Sequence, residues 1–175
     1  MPLSAPINFP RWLSENADKL KPPVGNFCLW NSSNFVVMAI GGPNARTDFH
    51  VNPTEEWFYQ HKGDMVLRVL DDGVFRDIDI REGDMFLLPP NVPHNPIRFE
   101  NTVGVVMEVQ RPEGKLDSMR WYCENEECRK NLTIVYEESF YCTNLGVQLK
   151  PVIEKFYAST DLRTCKVCGH VNSAR

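Results

Sequence analysis

The sequence has no long apolar run, no cluster of basic residues and no internal repeat. None of its 175 residues lies in an apolar stretch near the roughly 20 positions that a membrane helix needs. Its first residues, MPLSAPINFPRW, lack the charged-then-apolar order of a secretory signal, so we expect a cytoplasmic protein. The net charge of -4 and the absence of a Lys/Arg tract argue against a nucleic-acid partner. We therefore expect neither a membrane protein nor a nucleic-acid binder.

Short apolar segments separated by turn residues fill most of the chain. Residues 65–70 and 74–80 flank Asp71-Asp72-Gly73, which is typical of a two-residue β-hairpin turn. Eight or nine such segments follow one another closely up to residue 109, as in a β-sandwich or a jelly-roll barrel. The pattern therefore predicts an all-β (mainly β) fold.

Helical spacing of apolar residues occurs only outside these strands. It predicts a short N-terminal helix over residues 10–20 and a C-terminal helix near residues 148–158. Between them, residues 132–136 have the composition of a further strand. We place a boundary at Arg111-Pro112-Glu113-Gly114. It divides the chain into a barrel (1–112) and a C-terminal extension (113–175).

The C-terminal extension is rich in cysteine. Four of the six cysteines form two short-spaced pairs, Cys123 with Cys128 and Cys165 with Cys168. In a reducing compartment this pattern indicates a metal site before it indicates disulfides. A rubredoxin-like knuckle with four thiolates would be structural, and both zinc and iron fit it. Cys142 and His170 are alternative ligands.

A second set of metal-binding side chains lies within the barrel. His50, Glu56 and His94 have the composition of a two-histidine, one-carboxylate site, which leaves coordination positions open for substrate or dioxygen. Glu55 is a rival for Glu56, but neighbours on an extended strand face opposite ways, so only one can point inward. The alternative is that these are ordinary polar residues on half-buried strands.

The spacing around these residues resembles the cupin superfamily. Gly42, His50, Asn52, Glu56 and Gly63 follow its first motif, and Gly83, Pro89, Asn91 and His94 follow its second. Asn52 stands where the second cupin histidine would fall, which reduces four ligands to three. One more position is then open for a bidentate substrate, or for substrate with oxygen.

Three further charged residues fall where a barrel interior is expected. Arg46 shares a face with His50, Arg98 shares a face with His94, and Glu108 lies within an apolar run. Two guanidiniums beside a metal suit a small anionic substrate, since the planar fork of arginine matches a carboxylate. The alternative is that they are solvent-facing charges paired with neighbours.

With these residues, the sequence resembles the 3-hydroxyanthranilate 3,4-dioxygenase family in its short, single-cupin form of bacteria and fungi. The matching stretches are KPPVGN, GGPNARTDFH, EEWFYQHKG, EGDMFLLPPNVPHNPIR, QRPEG and the WYC…TCKVC tail. The resemblance implies a cupin jelly-roll barrel and a homodimeric non-haem Fe(II) enzyme of the kynurenine pathway. Such an enzyme cleaves 3-hydroxyanthranilate with O2, in extradiol fashion, to 2-amino-3-carboxymuconate semialdehyde, which leads to quinolinate and NAD.

The resemblance also implies roles for individual residues. His50, Glu56 and His94 would hold the catalytic iron, and Arg98 would hold the substrate carboxylate. Arg46 would lie beside the oxygen, and Glu108 would contact the ring amino or hydroxyl group. The positions implied to line the substrate pocket are Asn26, Val24, Phe58 and Pro96. Cys123, Cys128, Cys165 and Cys168 would hold a second Fe or Zn, although four residues separate the first pair where the family usually has two.

Two other classes of function remain open from the sequence. One is a cupin isomerase or hydrolase that uses zinc or manganese without oxygen chemistry. The other is a non-catalytic module whose cysteine tail acts as a zinc ribbon. Metal content and oxygen consumption distinguish both from a dioxygenase.

Overall fold

The computed structural model describes residues 5–21, 25–44 and 46–174. Its strands are β1 (Asn26–Asn31), β2 (Phe35–Gly41), β3 (Phe49–Val51), β4 (Glu56–Lys62), β5 (Met65–Asp71), β6 (Val74–Ile80), β7 (Met85–Leu88), β8 (His94–Arg98), β9 (Val103–Val109), β10 (Asp117–Tyr122) and β11 (Ile134–Phe140). Its helices are α1 (Phe9–Asn16), continued by a 3-10 turn at Ala17–Leu20, α2 (Glu126–Lys130), α3 (Leu145–Ala158) and α4 (Thr160–Arg163). No helix in these ranges is long and apolar enough to cross a membrane.

The strands form two antiparallel sheets that face each other as a jelly roll. Sheet A has the order β1-β2-β9-β4-β7, and sheet B has the order β11-β10-β3-β8-β5-β6. Alternation along the strands explains the burial, because Met65, Leu67 and Val69 on β5 point into the core while their neighbours are more exposed. The predicted all-β cupin barrel with short helices at both ends is confirmed.

The hairpin turn expected at Asp71-Asp72-Gly73 is confirmed. Asp72 and Gly73 both adopt positive φ angles, of 46° and 78°, between paired strands β5 and β6. That combination is the two-residue turn whose twist matches the strands that it joins.

Some element boundaries differ from the prediction. The N-terminal helix ends at Asn16 and continues only as a 3-10 turn, while the strand predicted at 132–136 runs from Ile134 to Phe140. Strand β10 and helix α2 were not predicted in these positions. The sequence of β10, DSMRWY, has four polar or charged residues among its six, and all four are buried or half-buried. Tertiary contacts cause this burial, and the periodicity of the sequence does not reveal them.

The residues after the predicted boundary are joined to the barrel. Strand β10 pairs with β3, and Met119 lies opposite His50. Helix α3 packs on β10 through a stack of Phe156 on Trp121, whose ring centroids are 4.2 Å apart. The division into 1–112 and 113–175 stays a prediction, but the second part contributes two strands to sheet B.

Candidate metal centre and substrate cavity

Three strands bring together the two histidines and the carboxylate singled out in the sequence. His50 on β3 lies opposite His94 on β8, and Glu56 is the first residue of β4. All three are buried, and one ligand atom from each lies within 4.8 Å of the others. Glu55 is exposed, as expected for the neighbour of an inward-facing residue.

The hydrogen bonds around His94 leave a metal-binding edge. His94 Nδ1 lies 3.0 Å from the carbonyl oxygen of Val92, which can only accept, so Nδ1 carries the proton. Its Nε2 lone pair then faces Glu56 Oε2 at 3.1 Å. That oxygen is buried and has no hydrogen-bond partner among the described residues. Two facing lone pairs without a donor require a cation or a proton between them, so these residues fit a divalent metal.

His50 is oriented by a buried ion pair. Its Nε2 lies 2.7 Å from Asp117 Oδ2, and Arg111 donates from Nε and Nη2 to the same carboxylate at 2.7 and 2.6 Å. Burial alone would raise the pKa of Asp117, but Arg111 and His50 hold it below its ordinary value. Because an ionised carboxylate only accepts, His50 Nε2 donates, and burial keeps the pKa of this ring low and the ring neutral. Sequence reasoning did not identify Asp117 or Arg111, although Arg111 lies in the QRPEG stretch.

Asn52, at the position of the missing cupin histidine, has a different use here. Its Nδ2 donates to Glu108 Oε2 at 3.1 Å, and its Oδ1 accepts from the backbone N–H of Thr54 at 2.8 Å. Arg111 Nη2 donates to the same Glu108 oxygen at 2.7 Å. Burial, followed by the nearby Glu56 carboxylate, nevertheless keeps the pKa of Glu108 above its ordinary value. Asn52 and Arg111 thus fix one oxygen of Glu108.

The candidate metal site opens into a cavity of about 70 Å³. Apart from the three candidate ligands, its predicted lining residues are Asn26, Arg46, Phe58, Pro96, Arg98 and Glu108. Val24, also predicted to line it, lies outside the described residues. The lining residues that were not predicted are Met38, Ile40, Val106 and Leu149. All four are apolar residues on strands or on α3, where the sequence offers no signal that separates a cavity wall from core.

The two arginines of the cavity differ in their partners. Arg46 is half-buried and its Nε donates to Asp48 Oδ1 at 3.1 Å. Arg98 is 2% exposed, and among the described residues no carboxylate pairs with it within ion-pair distance. Burial lowers the pKa of Arg98 to about 10, which leaves it charged at neutral pH. Glu56 acts on this charge only from beyond ion-pair distance, and a buried cation without a directly paired carboxylate is costly, so this end of the cavity favours an anionic ligand. The solvent-facing alternative does not apply to Arg98 or Glu108.

The four predicted cysteines also meet in space. The sulfurs of Cys123, Cys128, Cys165 and Cys168 lie within 4.8 Å of one another. The wider first spacing is accommodated because the segment after Cys123 turns into α2, which Asn125 caps through the backbone N–H groups of Glu127 and Cys128.

The local backbone favours a thiolate in this cluster. Burial tends to raise the pKa of Cys165, but the backbone N–H groups of Cys168 and Val167 lower it to about 7. Cys142 lies elsewhere, in the wall of a cavity of about 320 Å³ that shares Asn26 and Met38 with the smaller one. The four clustered sulfurs, without Cys142, therefore fit a closed four-thiolate metal site.

A jelly-roll barrel that gathers two imidazoles and one carboxylate around an open cavity defines a metal-binding cupin. Among solved structures, this chain is similar to a cupin-2 domain protein from Shewanella frigidimarina. The two are 17% identical, the match covers 59% of this chain and 93% of that one, and the TM-score is 0.48. Residues 1–157 match the family described as 3-hydroxyanthranilic acid dioxygenase, and the chain belongs to that family.

Curated relatives extend over nearly the whole chain. A 3-hydroxyanthranilate 3,4-dioxygenase of Pyricularia oryzae is 59% identical over 97% of this chain and 91% of its own. The enzyme of the same name from Yarrowia lipolytica is 57% identical over 99% of both chains. The one from Candida albicans is 57% identical over 100% of this chain and 99% of its own.

Proposed function

We propose that this protein is a 3-hydroxyanthranilate 3,4-dioxygenase, a non-haem Fe(II) enzyme that adds both atoms of O2 to the aromatic ring of its substrate. The product would be 2-amino-3-carboxymuconate semialdehyde, which leads to quinolinate and NAD in the kynurenine pathway. The observation that carries the proposal is one cavity with a candidate three-ligand metal site and a buried arginine, Arg98, with which no carboxylate of the described residues forms an ion pair. Only an anionic, metal-chelating small molecule uses both features.

We assign the metal of the cavity to iron(II), bound by His50, Glu56 and His94. When bound, iron(II) brings an aminophenol and dioxygen into one coordination sphere and passes electrons between them. Three protein ligands leave room for both reactants. The neutral state of His50 and the proton on His94 Nδ1 support this assignment, since a ligating imidazole must offer a lone pair.

The charged lining residues orient the substrate. Arg98 binds its carboxylate, because the two unpartnered guanidinium nitrogens can donate in parallel. Arg46, held by Asp48, would lie beside the oxygen and stabilise the negative charge that develops on it. Asn26, Phe58 and Pro96 shape the walls, and the same role is proposed for Val24.

Glu108 is proposed to accept the proton of the substrate hydroxyl group. Its Oε2 already accepts from Asn52 and Arg111, so Oε1 is the atom that takes the proton. A carboxyl group whose pKa is raised by burial is suited to this transfer near neutral pH.

The cysteine site is proposed to hold a structural Fe or Zn, and the protein is proposed to be cytoplasmic. A homodimer is supported by the outer face of sheet A. There Val37, Met107, Trp57 and Leu87 form one cross-strand row, in which Met107 is 36% and Leu87 53% exposed. A partly exposed apolar sheet face of this kind is suited to an identical face on a second copy.

The test is turnover of the purified, Fe(II)-loaded protein in air. We expect loss of the ring absorbance of 3-hydroxyanthranilate with uptake of one O2 per substrate, and no change under argon. Absorbance changes without oxygen uptake would indicate an isomerase or hydrolase instead. No turnover with iron bound would refute the proposal.

His94→Ala is the matching test of the metal assignment. Because it removes one of three ligands, we expect loss of the cavity iron and of turnover, while metal at the cysteines is retained. The check is metal analysis per chain alongside activity. Retained cavity iron and turnover would show that His94 is not a ligand.

A further inference from the structure

The guanidinium of Arg98 is asymmetric in its contacts. Nη1 donates to Gln60 Oε1 at 3.0 Å. Nε and Nη2 are buried and have no hydrogen-bond partner among the described residues. These two nitrogens form one edge of the planar group, and that edge matches the two oxygens of a carboxylate.

Gln60 is itself held in a fixed orientation. It is fully buried on β4, on the same inward face as Glu56 and Phe58. Its Nε2 donates to the carbonyl oxygen of Lys62 at 3.3 Å, so Oε1 is directed toward Arg98. The neutral amide oxygen of Gln60 fixes the position of Nη1 and leaves the positive charge of Arg98 available to an anionic ligand. A carboxylate at this position would neutralise that charge.

Gly104, opposite Gln60 on β9, leaves the space that this arrangement needs. A Cβ at this position would lie 2.5 Å from Arg98 Nη1, 2.7 Å from Gln60 Oε1 and 3.2 Å from Arg98 Nη2. All three atoms are ends of side chains, so an alanine would displace the guanidinium and the amide and leave the backbone in place. Glycine is therefore required for the position of the arginine.

We infer that Gln60 and Gly104 are positioning residues that set the selectivity of the cavity for a carboxylate. Gln60 holds Nη1, Gly104 admits the side chain, and the Nε–Nη2 edge of Arg98 is thereby presented to the cavity. This inference rests on the proposed function, because it assumes that Arg98 binds the substrate carboxylate. Neither Gln60 nor Gly104 is among the residues that line the cavity, so both act through Arg98.

The test compares two ligands that differ only in the carboxylate. 3-Hydroxyanthranilate and 2-aminophenol share the amino and hydroxyl groups, and 2-aminophenol lacks the acid. Dissociation constants for both are measured under argon on metal-loaded wild type, Gln60→Met and Gly104→Ala. We expect each variant to weaken 3-hydroxyanthranilate binding by about tenfold or more and 2-aminophenol binding by less than about twofold.

Thr102→Val is the matched control for damage to the fold. Thr102 is buried, and its hydroxyl donates to the carbonyl oxygen of Phe99 at 2.8 Å, so the variant loses a buried hydrogen bond without touching Arg98. It should lower the melting temperature but keep the ratio of the two dissociation constants. Metal content and melting temperature of every variant are recorded beside the binding data.

The outcomes separate the inference from the function on which it rests. Equal weakening of both ligands, or no weakening in either variant, would overturn the positioning role while wild-type turnover still supports the dioxygenase. Wild type that neither binds nor turns over 3-hydroxyanthranilate would overturn both. A carboxylate-specific loss in Gln60→Met and Gly104→Ala, absent in Thr102→Val, supports the inference.

Discussion

At the scale of single residues, the candidate ligands depend on partners that are distant in sequence. His50 is hydrogen-bonded to Asp117, which follows it by 67 positions, and Asp117 is paired with Arg111. Arg111 also binds Glu108, so one guanidinium connects a candidate metal ligand to a candidate substrate contact. A disturbance at Arg111 or Asp117 should therefore reach both groups.

Asp117→Asn tests this arrangement. The substitution keeps the shape of the side chain but removes its negative charge. In the wild type that charge pairs with Arg111 and also strengthens the hydrogen bond from His50. We expect the affinity of the cavity for iron(II) to fall by about 10- to 100-fold, as is usual when the partner of a ligating histidine is changed. The measurement is a metal competition titration at fixed pH.

Asp77→Asn is the matched control. Asp77 makes an equivalent paired contact with Arg68, but that pair is on the surface, where the two side chains are 40% and 46% exposed. Because exposed ion pairs contribute little, stability and metal affinity should stay near wild type. If Asp117→Asn also bound metal as wild type does, the role given to Asp117 would be wrong.

At the scale of elements, helix α2 and the cysteine cluster depend on each other. The helix has only five residues, too few to be stable by itself, yet it carries Cys128 into the cluster. Cys123, Cys128 and Cys165 form a small buried cluster with Val135 packed against it. A metal at the four sulfurs would supply the stability that so small a core lacks.

Cys165→Ser should therefore destabilise the protein without emptying the cavity. We expect one metal per chain to be lost and the free energy of unfolding to fall by about 4 kcal/mol or more, the size typical of losing a metal site. Chemical denaturation and metal analysis of the same sample provide the check. Cys28→Ser, at an exposed cysteine outside the cluster, should change neither. Selective loss of the cavity iron would mean that the two sites have been interchanged.

At the scale of the whole molecule, the outer face of sheet A is left partly uncovered. Helix α1 covers one part of it, where Phe9 contacts His61 with ring centroids 5.0 Å apart. Beyond it, Met85 and Leu87 on β7 are 68% and 53% exposed. Exposed apolar groups of this size next to one another are typical of an interface.

Leu87→Lys combined with Met107→Lys should convert the proposed dimer into monomers. Two buried, unpaired ammonium groups per copy would oppose association, while the cavity, on the other side of the sheet, is unaffected. Light scattering across a range of concentrations gives the mass. Val74→Lys, at a 63% exposed position on sheet B, is the control and should stay dimeric. A dimeric double variant would place the interface elsewhere.

The local sequence determined the class of fold, the hairpin at Asp72-Gly73 and the candidate ligands, because strand alternation, turn chemistry and motif spacing are properties of neighbouring residues. It also determined the cysteine pairs. It did not determine that Asp117 supports His50, that Gln60 holds Arg98, or that α3 contributes Leu149 to the cavity. Those contacts join strands and helices far apart in the chain, so only the packing of the two sheets decided them.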